Sequence, residues 1–155
     1  MTEVVSRRAG DGGSEARFRT AAMAYRVYGV VYLLGGLWLV SQGVGVRGGP
    51  AASRWQDMAV WAVIGLFFLI TIPYLLTTRR RWLGVIERRH IALVLSAFLA
   101  YRAWKVAGVV MGPPRSVPAP WGGEVSYATG AAIFVIITLA ALVAAVRAGW
   151  RRDAA

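Results

Sequence analysis

The sequence predicts an all-α fold, an integral membrane four-helix bundle with its N-terminus and C-terminus both cytoplasmic. Three observations carry that expectation. The 155-residue chain is 57 % hydrophobic and only 16 % charged, whereas a soluble domain is about 45–50 % apolar and about 25 % charged. The apolar residues gather into four runs, at about 21–44, 58–78, 89–111 and 125–148, each long enough as a helix to cross a hydrocarbon core about 30 Å thick. The arginines collect at alternate ends of those runs. Twelve (Arg7, Arg8, Arg17, Arg19, Arg79, Arg80, Arg81, Arg88, Arg89, Arg147, Arg151 and Arg152) lie on one side, and three (Arg47, Arg54 and Arg115) on the other. Such an asymmetry over short loops holds the richer side in the cytoplasm.

The segment 1–20 has little apolar content and a Gly-Asp-Gly-Gly run at 10–13, with too little apolar surface to offset the entropy of ordering, so a disordered tail is expected. The first span, about 21–44, carries Tyr25, Tyr28 and Tyr32 on one helical face, together with Gly29, Gly35 and Gly36, which permit close helix approach. Arg26 sits near its first end, where it can snorkel to headgroups. The loop after it is rich in Gly, Pro and Ser and is bracketed by Trp38 and Trp55, an aromatic-belt pattern. The second span, about 58–78, opens beside Asp57 and holds Pro73, which removes a backbone donor and predicts a kink that Thr71 or Thr77 would help to satisfy. The hairpin from Arg79 to Arg89 interleaves five arginines with Trp82, Leu83, Val85 and Ile86. It reads as a topogenic loop, or as a contact for anionic lipid through Arg79, Arg80, Arg81, Arg88 and Arg89. The second outer loop, 112–124, contains four prolines and predicts a stiff connector without regular structure. In the fourth span, about 125–148, Ala140, Ala144 and Ala148 and the parallel ladder Ala141, Ala145 and Gly149 predict a close-packing face.

The third span, about 89–111, is the unusual one, because Arg102 and Lys105 lie well inside its apolar run. A basic residue near a helix centre costs about 2.5–3.5 kcal/mol on the insertion scale, and each Leu, Ile, Val or Phe returns about 0.3–0.6 kcal/mol. With nine such residues in the span, its insertion is nearly balanced, and it requires neighbours. Three arrangements answer the charges, one of them that the helix stops early and leaves both at the interface. Asp57 and Glu124, the acids at the outer ends of the neighbouring spans, can pair with them. Otherwise Arg102 and Lys105, flanked by Phe98 and Tyr101, line an outward-opening pocket for an anionic amphiphile, a lipid phosphate or a quinone oxygen.

Other chemistries are excluded by composition. No cysteine is present, which removes disulfides, thiol redox chemistry and Cys-ligated metals. His90 is the single histidine, so a haem held by two histidines is impossible within the chain. Neither a zinc-protease, nucleophile-elbow, phosphate-loop nor dinucleotide fingerprint occurs, and no carboxylate lies deep in a span. A non-catalytic protein without a cofactor is expected. The net charge of +11 is spaced between apolar blocks rather than along a soluble face, so nucleic acid is not an expected partner.

The segment Tyr25-Arg26-Val27-Tyr28-Gly29 with Leu33 to Leu37, and Tyr101-Arg102 followed by Pro113 to Pro120, resemble small four-helix bacterial membrane proteins of the DoxX-like kind. That resemblance covers most of the chain and lies in layout. It implies a bacterial cytoplasmic membrane location and a role as an accessory subunit or small envelope protein, within a larger membrane complex in the case of a subunit. It assigns no functional residue.

Overall fold

A computed structural model of the chain describes residues 2–43, 54–78 and 86–150. The loop 44–53, the segment 79–85 and the tail 151–155 lie outside the described residues, and with them the interfacial reading of Arg79, Arg80 and Arg81. Four helices make up most of the described residues: α1 (Thr2–Ser41), α2 (Arg54–Thr77), α3 (Arg88–Val110) and α4 (Tyr127–Trp150). Each is long and apolar enough to cross a membrane, α1 over Gly12–Ser41. The observed bounds of α2, α3 and α4 fall within a few residues of the apolar runs, because apolar length and helix length are set by the same stretch of sequence.

Small residues decide which face of each helix turns inward. These helices are apolar on nearly every side, so hydrophobic patterning alone defines no core face. On α4 the buried positions are Ala131, Thr138, Ala141, Ala145 and Ala148, with Phe134 packed among them, a run spaced by threes and fours that keeps one face toward the bundle. Of these, Ala141, Ala145 and Ala148 share one buried cluster with Ala92, Leu95 and Leu99 of α3. Meanwhile Val63, Phe67 and Ile70 on α2, Val94 and Trp104 on α3, and Ile133 and Ile136 on α4 remain exposed. The bundle is thus as apolar outside as inside.

Glycine sets the α1–α2 seam. A methyl group on Gly29 would meet Leu69, one on Gly65 would meet Leu33, and one on Gly36 would lie 1.8 Å from the Trp61 indole. The three contacts descend α2 as they ascend α1, so the two helices run antiparallel with their backbones held close. Gly35, one residue from Gly36, has open space where a side chain would stand. α1 packs on α2 and α4, and α3 packs on α4, while α2 and α3 meet least of these neighbouring pairs.

Two expectations are corrected. The segment to residue 20 is not a free tail over its second half. α1 runs through it, and Ser14 and Phe18 are buried, because Arg88 at the start of α3 pairs with Glu15 at 2.9 Å and its guanidinium carbon lies 4.1 Å over the Phe18 ring. The Pro-rich outer loop also has regular structure. Residues β1 (Ser116–Pro118) and β2 (Glu124–Ser126) pair antiparallel, Val117 opposite Val125. The turn between them uses Gly122 and Gly123 at φ of 98° and 77°, a backbone region open to glycine and costly for other residues. Trp38 of α1 donates from Nε1 to the Pro118 carbonyl at 3.0 Å, which ties the hairpin to the bundle. Pro73 stands buried within α2, and Thr77 donates from Oγ1 to the Pro73 carbonyl at 2.9 Å rather than to the carbonyl that the proline leaves free.

Candidate functional site

α3 carries two stripes. Ala92, Leu95, Leu99 and Arg102 follow one another at three- and four-residue intervals and face the bundle, while Val94, Phe98, Tyr101 and Lys105 do the same on an exposed face. Three residues along a helix turn through about 300°, leaving about 60° between side chains. For Arg102 and Lys105 that offset falls across the boundary between inside and outside. The structure therefore does not gather Arg102, Lys105, Tyr101 and Phe98 into one pocket: Arg102 turns inward, partly buried, and the other three stand on the outer surface.

Arg102 enters an aromatic cluster. Its guanidinium carbon lies 5.0 Å from the Tyr32 ring centroid, and the Tyr28 side chain is near enough to interact with its charge. Tyr32 stacks on Trp61 of α2 at 4.6 Å and lies 6.1 Å from Phe134 of α4, while Tyr28 lies 5.4 Å from Phe134. Four helices thus converge on one layer. Phe18 and Arg88 are neighbours at one end, and Tyr32 and Arg102, each fourteen residues further on, are neighbours here, so α1 and α3 run parallel. At about 1.5 Å per residue the layer is about 21 Å from the Arg88 end.

Among the described residues no carboxylate pairs with the charge in this layer. Among the described residues, neither Asp57 nor Glu124 forms an ion pair with Arg102 or Lys105. Glu124 lies in the hairpin, where it accepts from Ser116 Oγ at 2.8 Å, and Asp57 stands in the first turn of α2, partly buried. The Nε of Arg102 is buried with no hydrogen-bond partner, and so is the Nε1 of Trp61. A buried donor left unmade costs about 1–3 kcal/mol, more when charged, and a cation over a tyrosine ring returns about 0.5–2 kcal/mol. The aromatic face offsets part of the cost of burying Arg102 and leaves its Nε donor unused.

At the other end of the bundle Arg88 and Arg89 are engaged. Arg88 and Glu15, with side chains 16 % and 19 % exposed, form their pair beside Ser14, which accepts from Arg88 at 3.4 Å. Arg89 lies 3.7 Å from Glu87. His90 closes the start of α3, its Nδ1 accepting from the Glu87 backbone N–H at 3.2 Å. Among the described residues no group of three His, Asp or Glu side chains is placed to hold a metal ion.

Sequence reasoning reached Arg102 and the tyrosine face but missed Trp61 and Phe134. One signal for Trp61 was present: Gly36 offers a recess for a large ring, and Trp61 is an aromatic residue near the matching end of the following span. The class defined by this arrangement is an all-helical bundle of four apolar, membrane-length helices enclosing a partly buried arginine. The sequence matches no family model, no curated protein and no solved structure.

Proposed function

We propose that this chain is a non-catalytic multi-pass protein of a bacterial cytoplasmic membrane, with both termini in the cytoplasm, that binds an anionic amphiphile at Arg102. The membrane location is supported by the apolar outer surface of the helices and the orientation by the arginine asymmetry. The DoxX-like resemblance accords with both. The observation that carries the binding role is the buried, unpartnered Nε of Arg102 in a layer where no described carboxylate pairs with it. A cation at that depth is costly unless an anion or water reaches it. At the cytoplasmic end Arg89 and the arginines of the preceding segment add a contact for anionic headgroups, worth about 1 kcal/mol per basic residue at the membrane surface.

Native mass spectrometry of protein extracted in mild detergent tests the binding role. Wild-type protein is expected to retain an amphiphile that Arg102→Gln has lost, with both proteins monodisperse. Equal ligand content in the two would overturn the reading.

A further inference from the structure

Two exposed cations stand within the apolar surface of the bundle. Arg26 lies between Met23 and Val30 on the outward face of α1, and Lys105 follows Phe98 and Tyr101 on the outward face of α3. Among the described residues neither forms an ion pair. We propose that these two residues fit the bundle to a locally thinned bilayer, each drawing the headgroups of its own leaflet inward along its helix. The inference rests on the membrane reading above and is independent of any ligand at Arg102.

The register of α1 against α3 sets how far apart in depth the two cations are. The helices run parallel, and Tyr32 and Arg102 are neighbours across them, as are Phe18 and Arg88. Arg26 is six residues to the cytoplasmic side of Tyr32, and Lys105 three residues to the outer side of Arg102, nine residues in all. At about 1.5 Å per residue that is about 13.5 Å along the bundle. A hydrocarbon core is about 30 Å thick, which leaves about 16 Å to be made up. Sinking the bundle toward the cytoplasm relieves Arg26 and buries Lys105 by the same amount, so no vertical position removes the shortfall.

The shortfall belongs to α1 and α3. On α2 and α4 the exposed apolar residues run from Val60 to Tyr74 and from Ile133 to Val146 with no charge between them. Mean hydropathy is 2.3 and 2.5 for those two spans, against 1.4 and 1.5 for the spans of α1 and α3. Side-chain direction then decides which leaflet yields more. Cβ atoms tilt toward the N-terminus of a helix, and α1 and α3 both run outward from the Phe18–Arg88 end. Arg26 therefore leans toward its own headgroups and reaches them with its long stem, whereas Lys105 leans away from the outer headgroups. Mismatch is met by snorkelling, tilt and thinning, and the outer leaflet beside Lys105 is where thinning contributes most.

Thermal unfolding in phosphatidylcholine vesicles with monounsaturated chains of about 14 to about 22 carbons tests the proposal. Wild-type protein is expected to be most stable at the short end of the series. The double variant Arg26→Leu/Lys105→Leu is expected to be most stable at chains about two to four carbons longer, and Lys105→Leu alone to move the optimum further than Arg26→Leu alone. Both substitutions lie on exposed surface, and circular dichroism checks that the helices persist. An optimum shared by wild type and double variant would overturn the proposal. Copurification of an acidic membrane protein with wild type, lost in the double variant, would also overturn it, since a partner and not lipid would then cover the cations. Release of wild-type protein from every vesicle by alkaline carbonate would overturn the membrane reading instead.

Discussion

At the scale of residues, the difference between Gly35 and Gly36 shows how one atom organises the layer around Arg102. A Cβ on Gly36 would overlap the rigid Trp61 indole at 1.8 Å, whereas one on Gly35 meets nothing within 4 Å. Overpacking of this kind costs about 1–3 kcal/mol, and a helical Gly→Ala exchange in open space gains about 0.5–1 kcal/mol. Gly36→Ala is therefore expected to lower the thermal unfolding midpoint in detergent and Gly35→Ala to hold or raise it; equal effects would mean that Trp61 does not seat on α1. Both glycines were visible in the sequence as places of close approach. Their opposite roles were not, because adjacent residues are separated by about 100° around a helix and only the docked partner says which one faces it. The same holds for Arg102 and Lys105. Their costliness in a span is an intrinsic property of the side chains, while the choice of which is buried depends on how α3 is rotated against α4.

At the scale of elements, the first helix is the one that departs from its sequence. Residues 12–20 are poor in apolar side chains, and their order comes from contacts with α3, where the Arg88 guanidinium bridges Glu15, Ser14 and the Phe18 ring. This pair joins positions 73 residues apart, so no local reading of either segment contains it. Exposed ion pairs give about 0.2–1 kcal/mol, and desolvation offsets the added attraction when the groups are buried; a loss on the order of 1 kcal/mol is expected for a pair with exposures of 16 % and 19 %. Glu15→Ala is expected to speed amide hydrogen exchange about fivefold over residues 14–20 while leaving the exchange of α4 unchanged. Unaltered protection of 14–20 would show that the latch does not hold the helix extension. The hairpin of β1 and β2 has the same lesson in milder form. Prolines and glycines in 112–124 announce a turn-rich segment, but the pairing of Val117 with Val125 and the bond from Trp38 to Pro118 require the ends of α1, α3 and α4 to be brought together first.

For the whole molecule, orientation is the property with the cleanest measurement, because the chain has no cysteine. A single Trp121→Cys in the exposed tip of the hairpin and a single Gly12→Cys in α1 report on opposite ends of the bundle. In intact cells a membrane-impermeant maleimide is expected to label Trp121→Cys, and to label Gly12→Cys only after permeabilisation. The reverse pattern would invert the proposed topology, and labelling of both sites in intact cells would be incompatible with it. Apolar length determined the number of helices, and the approximate limits of α2, α3 and α4, from the sequence alone, since burying a run of some twenty apolar residues as a helix needs no knowledge of its neighbours. Residue type likewise marked Arg102 as the costly group in the third span. Tertiary structure decided the rest: which face of each all-apolar helix turns inward, that Asp57 and Glu124 form no ion pair with Arg102, and that Arg102 meets Tyr28 and Tyr32, which pack in turn on Trp61 and Phe134. Those outcomes depend on small-residue contacts between helices distant in sequence, and a helix that is apolar on every side carries no periodic signal to announce them.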